Sequence, residues 1–336
     1  MASIWSELKE VCKIEPIIVV PQYTTEFHFL DDRIIYVKPA SGDYEIYSRT
    51  LDGEDEILLE SHDSFSITPN HRTKKVVYLN RNDYNYIYMQ GYDTNYWETK
   101  PIVYKQVAHR KVTVVDEYMF AQEYAGDIIV QLSPYYYRLK VQVGTGVDFY
   151  FVYNNRVYYS TSGFALYSIE INTTEGNNRS ENTPNGVNFF RINNIAYYRN
   201  NVEDKFYKYN LDTRERFPIE HDNIKVLNFY MEDEKVVFKG VYKGKQGVFV
   251  TDINLKNVVE TEIPYDISGL KIYQDFIYYS HGNQILKIPV PPVGLNLFPK
   301  VNGETKSTVA TVVKVNGELK KVINGWVKVN GELKKF

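Results

Sequence analysis

The side chains able to do acid–base or metal chemistry are few and dispersed along the 336-residue sequence. Six histidines, His28, His62, His71, His109, His221 and His281, lie far apart, and none follows another at the i, i+4 spacing that sets two imidazoles on one helix face. They read as surface or turn residues, although the loops of a closed fold can gather distant side chains. Cys12 is the single cysteine, which excludes an internal disulfide, a Cys-rich zinc site and a cysteine-held iron–sulfur cluster. Acidic residues recur at Asp31-Asp32, Asp52-Gly53, Asp93, Asp212 and Asp252, where Asp caps nearby amides of a turn, and no calcium-loop spacing accompanies them. Walker and dinucleotide glycine patterns do not occur. With no nucleophile beside a base and no paired carboxylates, the expectation is a protein without catalytic residues, metal or cofactor.

Aromatic residues offer binding instead. The chain has 31 Tyr and 17 Phe. Tyr84, Tyr92, Tyr96 and Trp97, and the pair Tyr135 and Tyr136, supply more rings than an alternating strand can bury on one face. Rings with polar tips suit sugar or protein surfaces, so these six are the candidate ligand contacts. Packing between neighbouring sheets is the competing role for any one of them.

The elements that would position such residues are strands. Short apolar–aromatic motifs recur at Ile34-Ile35-Tyr36, Val76-Val77-Tyr78, Tyr118-Met119-Phe120, Val157-Tyr158-Tyr159, Ala196-Tyr197-Tyr198, Val236-Val237-Phe238 and Ile277-Tyr278-Tyr279. Their third residues are spaced by 42, 42, 39, 39, 40 and 41 positions, the size of one four-stranded propeller blade. A second aromatic strand follows most of them after a polar turn, as in Tyr44-Glu45-Ile46-Tyr47 and Phe206-Tyr207-Lys208-Tyr209. The stretch 173–186 is polar and irregular and makes the fourth repeat weak. The seventh repeat lacks an outer strand, because Pro289, Pro291 and Pro292 follow Ile288 and proline cannot donate within a sheet. Ile17-Ile18-Val19-Val20 is expected to supply that strand and close the ring. The fold class expected is therefore all-β, a seven-bladed β-propeller closed by an N-terminal strand and followed by a small C-terminal β-hairpin repeat unit; six blades with extra hairpins is the alternative count. The boundaries are a cap segment at 1–13, with Ile4, Trp5, Leu8 and Val11 on one helix face, the propeller at 14–290, a Pro-rich linker at 291–300 and the tail at 301–336.

These aromatic repeats with Asp-Gly turns resemble a bacterial propeller family of unknown function related to low-density-lipoprotein-receptor-type propellers, although the Tyr-Trp-Thr-Asp signature of the receptor blades is missing. In the tail, Val301-Asn302-Gly303-Glu304, Val315-Asn316-Gly317-Glu318 and Val329-Asn330-Gly331-Glu332 recur every 14 residues. Asn-Gly between alternating Val and Lys is a strong hairpin signal. Val315, Trp326, Val329 and Leu333 are the candidate docking residues of this unit. Such repeats look like those attached to tail proteins of bacteriophages and phage-derived particles. That resemblance implies a non-catalytic tail-fibre or baseplate-associated component, made in the bacterial cytoplasm and released in a particle by lysis. Its partners would be other tail proteins, through the hairpins, and a cell-surface glycan or protein. A free bacterial scaffold or sensor propeller and a polysaccharide-active enzyme are the alternatives. The formal net charge of −3 gives no reason to expect nucleic acid, no apolar run is long enough to span a membrane, and charges occupy the first ten residues where an export signal needs its apolar core.

Overall fold

In the computed structural model, the described residues are 16–21, 26–39, 44–61, 64–71, 74–80, 83–91, 100–101, 109–116, 118–123, 129–131, 147–161, 165–171, 178–221, 223–232 and 234–291, together with short strands between 300 and 335. At 64–65, 70, 80, 83–91, 100–101, 109–111, 121–123 and 129–131, and from 300 onward, only the backbone is described. The N-terminal cap segment lies outside these residues.

Among the described residues, all regular structure is antiparallel strand. Five four-stranded sheets carry described side chains throughout. The first comprises Phe27–Leu30, Arg33–Pro39, Tyr44–Thr50 and Glu56–Glu60. Three more are built from Asp148–Tyr153 to Arg179–Ser180, from Gly186–Ile192 to Arg216–Ile219, and from Ile224–Glu232 to Val259–Glu260. The closing sheet joins Ser268–Tyr273, Phe276–His281 and Gln284–Pro289 to Ile17–Val20. Between the first and the next of these, Ser64–Asn70, Lys75–Asn80, Asp83–Gly91 and Lys100–Pro101 form a sheet, and His109–Val115, Tyr118–Glu123 and Ile129–Gln131 form a three-stranded one. The expectation of a seven-bladed propeller is thus corrected: the structure shows five complete blades among the described residues. In this part of the chain, Lys100–Pro101 is the fourth strand of one sheet and three strands of the other are described.

The first strand of each sheet is innermost and neighbours the first strand of the next. The ring returns on itself where Phe29 stacks on Tyr273 with centroids 4.4 Å apart and Tyr273 Oη donates to the Asp31 carbonyl at 2.7 Å. Each repeat motif is the second strand of its sheet, and Tyr36, Tyr78, Phe120, Tyr159, Tyr198, Phe238 and Tyr279 are all buried. Their rings stack on the strand that follows, as in Tyr36 on Tyr47, Tyr159 on Tyr167, Tyr198 on Tyr207 and Phe238 on Phe249. Cross-strand aromatic pairs of this kind add stability beyond the area they bury. Two-residue turns join many strands: Asn154-Asn155 and Gln274-Asp275 both hold positive φ, the hairpin geometry whose twist matches that of the flanking strands.

Closure is a strand pairing. Ile17 faces Lys287, Ile18 faces Leu286 and Val20 faces Ile285, with a bulge between Ile18 and Val20. Val19 and Val20 are fully buried, while Ile17 and Ile18 remain half exposed on the outer edge. Lys287 Nζ donates to the Leu51 carbonyl of the first sheet, so the closing sheet is tied to the first along its outer strands as well.

The polar fourth repeat proves to be core. Glu181, just past the short strand Arg179–Ser180, has a fully buried side chain that accepts from Ser168 Oγ at 2.6 Å, Tyr209 Oη at 2.6 Å and Arg179 Nε at 2.8 Å. Tyr209 belongs to the next sheet, so one carboxylate links two. Glu60 plays the same part earlier, accepting from Tyr78 Oη at 2.6 Å. In the tail, Val315 pairs opposite Glu318 and Val329 opposite Glu332, the register of two-residue hairpins.

Val20→Asp, which would place an unpaired charge in the sealed strand, is expected to cost about 3 kcal/mol or more, whereas Ile17→Ser stays within about 0.5 kcal/mol; urea midpoints of the two variants check this. Burial opposes ionisation of Glu181, but the bonds from Ser168, Tyr209 and Arg179 outweigh it and hold the pKa below 4.5. Its stabilisation is therefore present at neutral pH and lost as pH falls below 4.5 through the folded pKa. Glu181→Ala is expected to cost about 3 kcal/mol at pH 7 and to flatten the acid limb of the stability curve, read by denaturant titration from pH 7 to 3.

Candidate functional site

The innermost strands do not alternate cleanly, and their irregularities all fall in the first half of the strand. Register slips between Phe65 and Thr68, Phe149 and Phe151, Val187 and Phe190, Val226 and Asn228, and Ser268 and Leu270. Bulges bend a strand and re-aim a side chain, and three of these hold a residue at positive φ: Ser66, Asn188 and Gly269. At Gly269 the need for glycine is steric too, because a Cβ would stand 2.7 Å from Ser280 Oγ. Gly240 answers the bulge of its neighbour, leaving room for the Lys225 carbonyl, which a Cβ would meet at 2.0 Å.

Where the inner strands face one another they line an open cavity of about 600 Å³. Phe149–Phe151, Phe189, Phe190, Phe229 and Tyr230 are among the residues that line it. Its polar groups are Asn188, Asn228, Arg191, Lys271 and Asp116. Asn188 Nδ2 donates to Asn228 Oδ1 at 3.3 Å across the junction of two sheets. Asp116 is already engaged, accepting from the Val152 amide at 3.0 Å. Arg191 donates from one terminal nitrogen to the Asn193 carbonyl at 2.9 Å, while its buried Nε has no hydrogen-bond partner.

Lys271 leaves the seam between the closing and first sheets. Its Nζ donates to the Phe27 carbonyl and lies 4.8 Å from the Phe27 ring centroid. Burial lowers its pKa to about 8, with the charge of Glu26 opposing the shift. Glu26 is bonded to His28 Nε2 at 2.9 Å. Burial, and then the charge of Lys271, lower the His28 pKa, so that the imidazole is neutral at pH 7. Tyr230 is pushed up to about 12 by burial and the nearby Glu232, and remains a protonated phenol. The cavity therefore combines ring faces, amides, a phenol and two cations, a set suited to holding a ligand. Among the described residues, no three His, Cys, Asp or Glu gather as metal ligands.

The sequence-predicted contacts fall where side chains are not described. Tyr84 falls on the strand Asp83–Gly91, whose side chains are not described, and Tyr92, Tyr96, Trp97, Tyr135 and Tyr136 lie outside the described residues. Val315, Trp326, Val329 and Leu333 sit on tail strands described as backbone alone. Sequence reasoning passed over Asn188, Arg191, Asn228 and Lys271. The available signal was the interruption of inner-strand alternation by Asn or Gly, as in Val187-Asn188-Phe189-Phe190 and Leu227-Asn228-Phe229.

No family model matches the chain, and no curated protein does. Solved structures do match. The β-propeller domain of Cps50 (Swd1) from Myceliophteria thermophila superposes with a TM-score of 0.58 at 8% identity, covering 82% of this chain and 100% of that one. The fold is a β-propeller. The propeller domain of the Trilobed protease from Pyrococcus furiosus matches with a TM-score of 0.54 at 12% identity over 85% of this chain and 100% of that domain, and is described as having an open velcro topology. The present propeller, by contrast, carries the Ile17–Val20 pairing. PorZ, a surface component of the type-IX secretion system of Porphyromonas gingivalis, matches with a TM-score of 0.54 at 13% identity over 82% of this chain, which spans only 38% of PorZ. At these identities the likeness concerns the fold.

Because the folded pKa of Lys271 lies near 8 and its ordinary value is 10.5, the native state sheds this proton first. Between those values the unfolded chain binds more protons, so stability rises with pH. Urea midpoints at pH 7 and 9.5 are expected to show this rise in the parent and a smaller one in Lys271→Met; equal slopes would show that the amine is not desolvated.

Proposed function

We propose that this protein is a non-catalytic binding module, a β-propeller disc that holds its ligand at the central cavity and is docked by its C-terminal hairpins onto a phage tail or phage-derived particle. The observation that carries the binding reading is the convergence of Asn188, Asn228, Tyr230, Arg191 and Lys271 from three sheets on one cavity. A rigid ring presents such groups at fixed separations, which limits the ordering cost of binding. No step of chemistry is assigned to them. The particle reading leans on the repeated Val-Asn-Gly-Glu hairpins, since an isolated hairpin is marginal in water and gains stability by packing on a partner. A cell-surface glycan or protein is the ligand proposed for the disc, and the particle is its proposed location.

Peptides of this chain are expected in particles purified from a lysate, and truncation after Val290 is expected to remove it from them while leaving a folded disc. In a cell-binding assay, Asn228→Ala and Tyr230→Ala should each weaken attachment about tenfold, with the outer-strand variant Phe217→Ala unchanged. Particles lacking the chain would overturn the docking half. Undiminished attachment by both cavity variants would overturn the binding half.

A further inference from the structure

Among the described residues, the large apolar side chains left in solvent are Ile17, Ile18, Leu58, Val202, Phe217 and Leu227. Val202, Phe217 and Leu227 stand on three separate segments, as scattered exposed residues ordinarily do. Ile17, Ile18 and Leu58 instead gather at the outer rim where the ring is sealed. Side chains paired across an antiparallel ladder share one face, so register decides which way each points. Ile17 pairs with Lys287, whose Nζ reaches the Leu51 carbonyl, and therefore lies on the face turned to the first sheet. Leu58 pairs with Tyr47, which packs against Val19, Val20 and Tyr278, and therefore lies on the face turned to the closing sheet. Both border the outer mouth of one seam, and Ile18 continues the patch around the edge. The turn at Gly53 is pressed against the same edge, for a Cβ there would stand 3.3 Å from the Val19 carbonyl oxygen. An added strand fits this edge poorly, because Pro16 and Pro21 bound Ile17–Val20 and offer no N–H to extend a ladder. The patch calls for side chains as its cover.

We propose that residues 4–13 of this chain cover the rim as an amphipathic helix, with Ile4, Trp5, Leu8 and Val11 laid against Ile17, Ile18 and Leu58. Those four recur at the spacing of one helix face, and Ser6, Glu10 and Lys13 fall on the opposite one. The residue before Pro16 is restricted to extended backbone, which ends a helix there and delivers it beside Ile17. Ten helical residues span about 15 Å, the length of the five-residue strand Glu56–Glu60 that carries Leu58. The short tether holds the segment at high effective concentration, so a patch of three half-exposed side chains suffices where a free partner needs a larger one. Covered in this way, the sealing strand is kept from fraying and its edge from meeting a second copy. The cover is independent of what the cavity binds.

Cys12, the single cysteine, falls on the same stripe by spacing and serves as the probe. In the full chain its reaction with dithionitrobenzoate, followed by absorbance, is expected to be about tenfold slower than in Trp5→Ser/Leu8→Ser. Ile17→Glu combined with Leu58→Glu is expected to release the thiol to the same extent, whereas Phe217→Glu, on the outer strand of another sheet, leaves it slow. Equal rates in the parent and in Trp5→Ser/Leu8→Ser would overturn the proposal. A rim double variant whose thiol stays slow would overturn it too, since the segment then packs elsewhere. Sedimentation tests the rival occupant: a dimer abolished by the rim variant, with Cys12 freely reactive in the parent, would give the patch to a second copy and overturn the cover. Trp5→Ser/Leu8→Ser alters no residue of the sheets, so the first comparison decides alone should the rim variant fail to fold.

Discussion

The pairing of Ile17–Val20 with Gln284–Pro289 is the contact on which the rest of the molecule depends. In a propeller each sheet packs on its two neighbours, and a ring left open exposes two unsatisfied faces. Pro289, Pro291 and Pro292 prevent the last repeat from making its own outer strand, so the strand must come from the other end of the chain. Joining segments so distant costs chain entropy, which the burial of Val19 and Val20 and the ladder to Lys287, Leu286 and Ile285 must offset. Because both termini of the ring meet in one sheet, the Phe29–Tyr273 stack and the bonds to Asp31 form only in the closed state.

Within this ring two kinds of cohesion alternate. The aromatic anchors bury large areas between strands and are tolerant of detail, which suits a repeated element. Between sheets the structure uses directed polar contacts. Within a sheet, Arg33 and Arg156 occupy equivalent second-strand positions and donate from Nε to Ser48 and Ser168 of the adjacent strand, each at 2.9 Å. Glu60 and Glu181 each receive a tyrosine hydroxyl from the following sheet. Buried polar contacts cost desolvation unless fully partnered, and their geometry favours one packing of the sheets over its neighbours in register.

The cavity is a by-product of closure. Inner strands in a ring cannot pack against one another across the axis, so side chains there meet open space. Bulges at Asn188, Asn228 and Gly269 turn polar groups and backbone toward it without breaking the ladder behind. Lys271 and the Glu26–His28 pair come from opposite ends of the chain and meet across the seam, which makes the electrostatics of the site a consequence of the same pairing that seals the ring.

Much of the architecture was legible in the residues. Spacing of the aromatic motifs set the repeat, the prolines after Ile288 signalled a missing strand, and Ile17 to Val20 identified its source, because strand periodicity and proline chemistry are local properties of the chain. The blade count was not legible: the Tyr-rich region around Asp83–Gly91 keeps the composition of a strand while losing its alternation. Glu181 read as part of a polar loop because partners such as Ser168 and Tyr209 stand on other strands. The cavity was invisible for the same reason. Asn188, Arg191, Asn228 and Lys271 are unremarkable singly, and no local pattern records that they face one space; the sequence determined the strands and their order, while only the closed ring decided which side chains converge, since convergence depends on contacts between residues far apart in the chain.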